Sequence, residues 1–203
     1  MIVREATRQD IPGIVEVHRE AFKGFLMTRL GERFLRTYYG IALGYAGVIA
    51  LVVCDPSGKV AGFVVGYDKP KDFYTYFSAK KWEIVRSMAL SLLRNPFLLS
   101  RVMASKKQAE NSARNEAYAD GVVELASVAV SPEFEGKGLG GKLVDGFIDK
   151  ARGCGAKEIF LTTDLMDNDQ TLRFYERNGF KVVEDFKTSS GRLMRQTVFA
   201  CQQ

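Results

Sequence analysis

Residues 128–142 read Val128-Ala129-Val130-Ser131-Pro132-Glu133-Phe134-Glu135-Gly136-Lys137-Gly138-Leu139-Gly140-Gly141-Lys142. A β-branched apolar run stops at a Ser-Pro turn signal, and four glycines within six residues then open an apolar pattern of helical period. The order is strand, loop, glycine-rich turn, helix. Glycines let backbone N–H groups approach a ligand without Cβ interference, and a helix start adds unpaired donors and the positive end of a dipole. The stretch therefore describes a phosphate cradle without naming the phosphate.

Two general patterns compete for it. Gly136, Gly138 and Gly141 spell GxGxxG, the dinucleotide fingerprint, and Gly136 to Lys142 spell GxxxxGK, most of a P-loop. The P-loop fails at Leu143, where a Ser or Thr must hold Mg²⁺. The dinucleotide reading requires the glycines to follow the strand at once, but Ser131 to Glu135 intervene, and too little chain follows for the remaining sheet. A nucleotide-dependent oxidoreductase is thus the weaker alternative.

A third pattern fits better. Val128 to Gly140 resembles motif A of the GNAT acyltransferases: a strand, a Pro-containing loop, then (Gln/Arg)-x-x-Gly-x-Gly. Downstream, Asn168 followed by Phe174-Tyr175-Glu176-Arg177-Asn178-Gly179-Phe180 resembles that family's second block, with Thr171 at its alanine position. The resemblance is clear over residues 122–186 and weaker over residues 1–67. It departs at Glu135, which stands where the family has Gln or Arg. A carboxylate beside a pyrophosphate is unfavourable unless it points away, so its side chain receives no binding role, and Lys137 and Lys142 are expected to offset it.

The resemblance implies an α/β (α+β) fold with a central, mixed, mostly antiparallel twisted sheet flanked by helices. It implies acetyl-CoA as cosubstrate, no metal, and direct attack of a primary amine on the thioester. Val128, Ala129 and Val130 would pair through their backbone with the pantetheine arm, a backbone N–H there serving as oxyanion donor. Gly136, Lys137, Gly138, Leu139, Gly140 and Gly141 would hold the pyrophosphate, with Asn168 and Phe174 beside the coenzyme. Glu124 takes the position of a catalytic base in several members, and Tyr175 that of the tyrosine that protonates the departing thiolate. A solvent-facing charge and a core aromatic are the plain alternatives for these two, and helix capping for Asn168. The acceptor would lie against the first two helices, which brings in His18, Phe22, Phe25 and Tyr38. Asp164, at a strand end, is a candidate for a cationic acceptor, although a turn role serves it equally well. The run from Phe22 to Tyr39 also resembles a branch of GNAT-like proteins associated with surface-glycan genes, which adds amino sugars to peptides, polyamines and aminoglycosides as acceptors. A non-catalytic acyl-CoA sensor on the same fold is the other alternative.

The rest of the chain supports one acyltransferase domain over residues 1–203, with a helical insertion at about 69–120. Ile2 to Glu5 reads as a strand. Thr7 with Asp10 reads as a capping box opening a helix that carries His18 on its apolar face. A second helix is expected from Leu30 to Leu43, then a hairpin of Val48 to Cys54 and Val60 to Tyr67. Strands at 122–130, 159–163, 180–184 and 193–200 and helices at 139–154 and 169–178 follow. In the insertion, Trp82 to Leu93 suits an amphipathic helix, Asn95-Pro96 suits the start of another, and Lys106 to Asp120 is polar. A lid, a dimer interface and a basic membrane-surface helix are its readings, in that order, leaving a monomer or homodimer.

Hydrophobic residues make up 46% of the 203 and charged residues 26%, a globular composition. The net charge of +5 suits an anionic ligand but is too small and too dispersed for nucleic acid. Cys54, Cys154 and Cys201, an odd count without metal spacing, suggest free thiols in a reducing, cytoplasmic setting. No signal peptide is visible, and the best membrane candidate, residues 84–104, carries Arg86, Arg94 and Arg101.

Overall fold

The computed structural model describes residues 1–103, 120–188 and 191–201. Its helices are α1 (Ile11–Ala21), α2 (Leu26–Arg29), α3 (Glu32–Ala42), α4 (Pro70–Ala79), α5 (Lys81–Arg94), α6 (Leu139–Gly153) and α7 (Asp169–Arg177). Its strands are β1 (Ile2–Glu5), β2 (Val48–Cys54), β3 (Val60–Asp68), β4 (Val122–Val130), β5 (Glu158–Asp164), β6 (Lys181–Lys187) and β7 (Leu193–Ala200). Residues 98–103 are also helical. The strands form one seven-stranded sheet in the order β1-β2-β3-β4-β5-β7-β6. Only β4 and β5 run parallel; the other pairs are antiparallel. This is the mixed, mostly antiparallel sheet expected, and it removes the dinucleotide alternative, which requires a parallel sheet around the glycine turn.

The central strands are buried on both faces, so they read as continuous apolar runs. Val52, Phe63, Val65 and Tyr67 face one core with Ile14, Leu35 and Tyr39 of α1 and α3. Leu51, Val53, Ala61 and Val64 face the other, against Leu143, Val144, Phe147 and Ile148 of α6. These α6 positions recur with helical spacing on one face. The capping box is present: Asp10 Oδ2 accepts from Thr7 N at 2.8 Å, while Arg4 clamps both Asp10 oxygens at 2.7 and 2.8 Å and holds that carboxyl down to about 2.

Three features depart from the sequence reading. The helix expected from Leu30 to Leu43 is present as α3, but the short α2 before it was not anticipated, and the Leu30 carbonyl between them accepts a hydrogen bond from Ser91 Oγ of α5 at 2.7 Å. Helix α4 was not anticipated. Its Pro70, Phe73, Tyr74 and Phe77 recur at helical spacing and turn to the core, where Phe73 stacks on Tyr67 at 3.4 Å between ring centroids. Strand β4 contains a bulge: Val65 faces Ser127 but Gly66 faces Leu125, so Ala126 is extra. Before the bulge Val123 and Leu125 face the α6 core; after it Val128 and Val130 do. The polar stretch from Lys106 lies, except Asp120, outside the described residues.

Candidate functional site

The site begins where the sheet comes apart. Strands β4 and β5 pair only through Val122–Glu158, Val123–Ile159 and Glu124–Phe160. Beyond that seam β4 continues to Val130 with β3 on one side only, its register running to Gly62–Val130. The other edge of residues 126–130 faces a cavity of about 1970 Å³. Ordinary small-molecule pockets run to roughly 300–1,000 Å³, so this volume suits a large ligand together with a second one.

At the far end of that edge lies the glycine turn. Gly136 and Gly138 have φ of 73° and 71°, a backbone conformation that favours glycine. An added Cβ at either would meet nothing within 4 Å, so the requirement is conformational and the space above the turn is open. Helix α6 starts at Leu139 with no side-chain cap, and Lys142 N is bonded to Gly138 O. The first-turn N–H groups therefore have no intrahelical acceptor. Gly136, Gly138, Leu139, Gly140 and Gly141 line the cavity. Lys137 does not: its ammonium lies 4.7 Å from the Phe134 ring centroid and 3.5 Å from Glu133 O. Lys142 is also off the wall, whereas Glu135 and Arg177 are on it. The expected offset of Glu135 by the two lysines is thus absent from the geometry, and Arg177, which the sequence reading passed over, supplies a guanidinium instead.

At the seam, the pleat and the bulge aim Glu124 away from α6 and towards α4. The Tyr74 hydroxyl of α4 donates to Glu124 Oε1 at 3.0 Å, and Oε2 is sealed from solvent with no hydrogen-bond partner among the described residues. Glu124 as a residue is only half-buried, but its carboxylate oxygen is not. Desolvation, only partly opposed by the Tyr74 hydrogen bond, raises its pKa to about 7. Tyr38 and Tyr67 share a hydrogen bond at 2.9 Å next to it, and burial pushes Tyr38 up to about 12. A solvent-facing Glu124 is therefore not what the fold contains. Tyr74 was missed because nothing in the sequence places residue 74 opposite residue 124.

Glu124 itself is not on the cavity wall, though its partner Tyr74 is, and the other candidates named below are. The wall includes Val128, Ala129, Val130, Phe174 and Tyr175, and on the opposite side His18, Phe22, Phe25 and Tyr38. Burial raises the Tyr175 hydroxyl well above its ordinary pKa, and the ring packs on Phe174 and Phe180. His18 Nδ1 lies 2.7 Å from the Tyr39 hydroxyl; Nε2 is buried without a partner, and burial lowers the imidazole to about 4. Two expectations need correction. Asn168 does not cap α7 through its side chain: Nδ2 donates to Thr163 Oγ1 at 2.9 Å and to Asp164 O at 2.7 Å, tying the loop back to β5. Asp164 is no open cation site, because Arg192 Nε bonds its Oδ1 at 3.0 Å and a second guanidinium nitrogen bonds Oδ2. The insertion supplies much of the remaining wall through Phe73, Phe77, Ile84, Met88 and Leu92. Among the described residues no cluster of His, Cys, Asp and Glu could hold a metal.

The model of the Acetyltransferase (GNAT) family matches residues 99–180, which contain β4, the glycine turn, the seam and α7. Over this stretch, less than half of its length, the chain is similar to that family. N-alpha-acetyltransferase 30 of Schizosaccharomyces pombe is 39% identical over 56 residues, 28% of this chain and 37% of that protein. L-amino acid N-acyltransferase MnaT of Escherichia coli K12 is 35% identical over 79 residues, 37% and 45% of the two chains. The chain thus spans less than half the length of these curated relatives. The GNAT fold extends further: yncA, a candidate acetyltransferase of Salmonella typhimurium solved with acetyl-CoA, superposes at TM-score 0.64 and 19% identity, covering 100% of this chain and 95% of that one.

Proposed function

We propose that this chain, acting as one catalytic unit, is an N-acyltransferase that moves an acyl group, acetyl in the first instance, from coenzyme A to a primary amine. The observation that carries this reading is the free edge of β4, whose residues 126–130 line one cavity together with the glycine turn. A bound acyl-CoA would supply an electrophilic thioester. The N–H groups at the start of α6, with Arg177, would hold its pyrophosphate, and the open backbone of Val128 to Val130 would align the arm. Phe174 supports the wall of that half. Glu124, near neutrality in its pKa, accepts the ammonium proton directly or through water as the N–C bond forms. Tyr175 keeps its proton at neutral pH and gives it to the sulfur as the C–S bond breaks. The acceptor half, with His18, Phe22, Phe25 and Tyr38, is mostly apolar, which suits an amine carried on an aromatic or aliphatic body.

The test is thermal unfolding with acetyl-CoA, desulfo-CoA, NAD(P)H and Mg-ATP in parallel, followed by turnover on an amine panel. A ligand at about 100 times its Kd stabilises by about 2.7 kcal/mol. Stabilisation by the two coenzyme A compounds and turnover of an amine are expected. Stabilisation without turnover of any amine favours a coenzyme sensor, and stabilisation by NAD(P)H alone overturns the reading.

A further inference from the structure

Helix α5 has two apolar faces. Ile84, Met88 and Leu92 pack inward against the α1–α3 core. On the adjoining side Trp82, Val85, Ala89 and Leu93 recur at the same helical spacing, with Leu90 beyond them. This outer face is open: Trp82 is 77% exposed and Leu93 81%, and Phe97 just beyond the helix is 84% exposed. Leu99 and Met103 continue it. Seven of the fourteen large hydrophobic side chains left exposed among the described residues fall within residues 82–103, a concentration that marks an interaction surface.

Its charge selects the partner. Residues 69–103 contain seven lysines and arginines against Asp72 and Glu83, a balance of +5 that equals the balance of the entire chain. Lys81, Arg86, Arg94 and Arg101 lie exposed among the apolar residues of the patch. A second copy docked symmetrically would bring this segment against itself, with like charges opposed. Sequence 104–119 offers only alanines and Tyr118 as apolar side chains, which do not complement Trp82, Leu93 and Phe97. An apolar stripe set among cations is the pattern of a helix lying in the interface of an anionic bilayer.

We propose that α5 and residues 97–103 dock this protein on anionic membrane surfaces, lying along the headgroups without crossing. No described helix is long and apolar enough to span. Val85, Leu99 and Met103 belong both to this patch and to the cavity wall, so the docked face adjoins the cavity. The inward stripe of Ile84, Met88 and Leu92 answers to the first of the insertion's sequence readings, and the outer face to the third. The proposal is independent of the acyl-transfer reading.

Trp82 is the only tryptophan, so its emission reports the patch directly. The full chain is floated with phosphatidylcholine vesicles, with and without about 30% phosphatidylglycerol, while Trp82 fluorescence is recorded. Binding to the anionic vesicles, a blue shift, weakening by salt and little binding to phosphatidylcholine alone are expected. Leu93→Asp with Phe97→Asp, and separately Arg86→Glu with Arg94→Glu, should each weaken partition at least about tenfold, with unchanged circular dichroism melts, since these side chains are exposed. Absence of flotation on anionic vesicles overturns the proposal. So does flotation that both double variants leave intact, or a dimer in sedimentation that Leu93→Asp dissociates.

Discussion

The Tyr74 hydroxyl donates to Glu124 Oε1 at 3.0 Å, joining a helix of the insertion to the strand at the centre of the sheet. This bond opposes the desolvation that raises the carboxyl. Tyr74→Phe removes it, so the Glu124 pKa should rise above 7. The ascending limb of kcat/KM against pH should then move to higher pH, with activity lost near neutrality and recovered in alkali. An unmoved limb would show that Glu124 is not the base.

Glu124→Gln removes the base and should lower kcat about 10²- to 10⁴-fold with coenzyme affinity unchanged. Its stability effect has the opposite sign. A carboxyl with a raised folded pKa contributes stability that is fully present below its unfolded value and is lost as pH rises through about 7. The Gln variant escapes that loss. It should melt higher than the wild type at pH 8 and close to it at pH 5, as read by calorimetry.

Tyr175→Phe keeps the packing against Phe174 and Phe180 and removes only the proton. The melting temperature should change little. The kcat should fall about 10²-fold or more with a poor leaving thiolate, and less when a thioester of lower thiol pKa is used. Equal loss with both donors would leave Tyr175 as a packing residue.

His18, on the cavity wall, competes with Glu124 as a base, but its depressed pKa makes the two separable. A group whose folded pKa is lowered by burial loses its stability contribution as pH falls from about 6.5 through about 4. Wild-type stability should decline across that window, and His18→Gln should flatten the decline. Imidazole chemical shifts should titrate near 4, outside the range of the activity limb.

Glu135 stands on the cavity wall without either lysine turned towards it. Glu135→Gln should remove repulsion from the pyrophosphate and tighten coenzyme A binding several-fold, most at low salt. Calorimetric titration checks this, and weaker binding would place the carboxylate in a supporting role.

The parts of this molecule that are local were legible in its sequence. The strand–loop–glycine stretch, the hairpin of Val48 to Asp68 and the helical spacing of Leu143, Val144, Phe147 and Ile148 each depend on near neighbours. What escaped depends on distant ones. Tyr74 meets Glu124 across fifty residues. The turn between α2 and α3 is tied down by Ser91, and the extra residue at Ala126 is visible only against the register of β3. Asn168 was misread because its side chain had two sets of partners within reach, and the strand end prevailed over the helix start. Lys137 was misread because a cation near a glycine turn can equally fold onto an aromatic ring.

The three-residue seam between β4 and β5 has a mechanical meaning as well. It divides the sheet into two leaves, β1 to β4 and β5 to β7, hinged at one end and gaping at the other. Backbone groups on the gaping side have no strand to bond, so whatever lies between the leaves acts as a splint. Amide exchange in the distal leaf is thus a gauge of occupancy, slow when the gap is filled and faster when it is not.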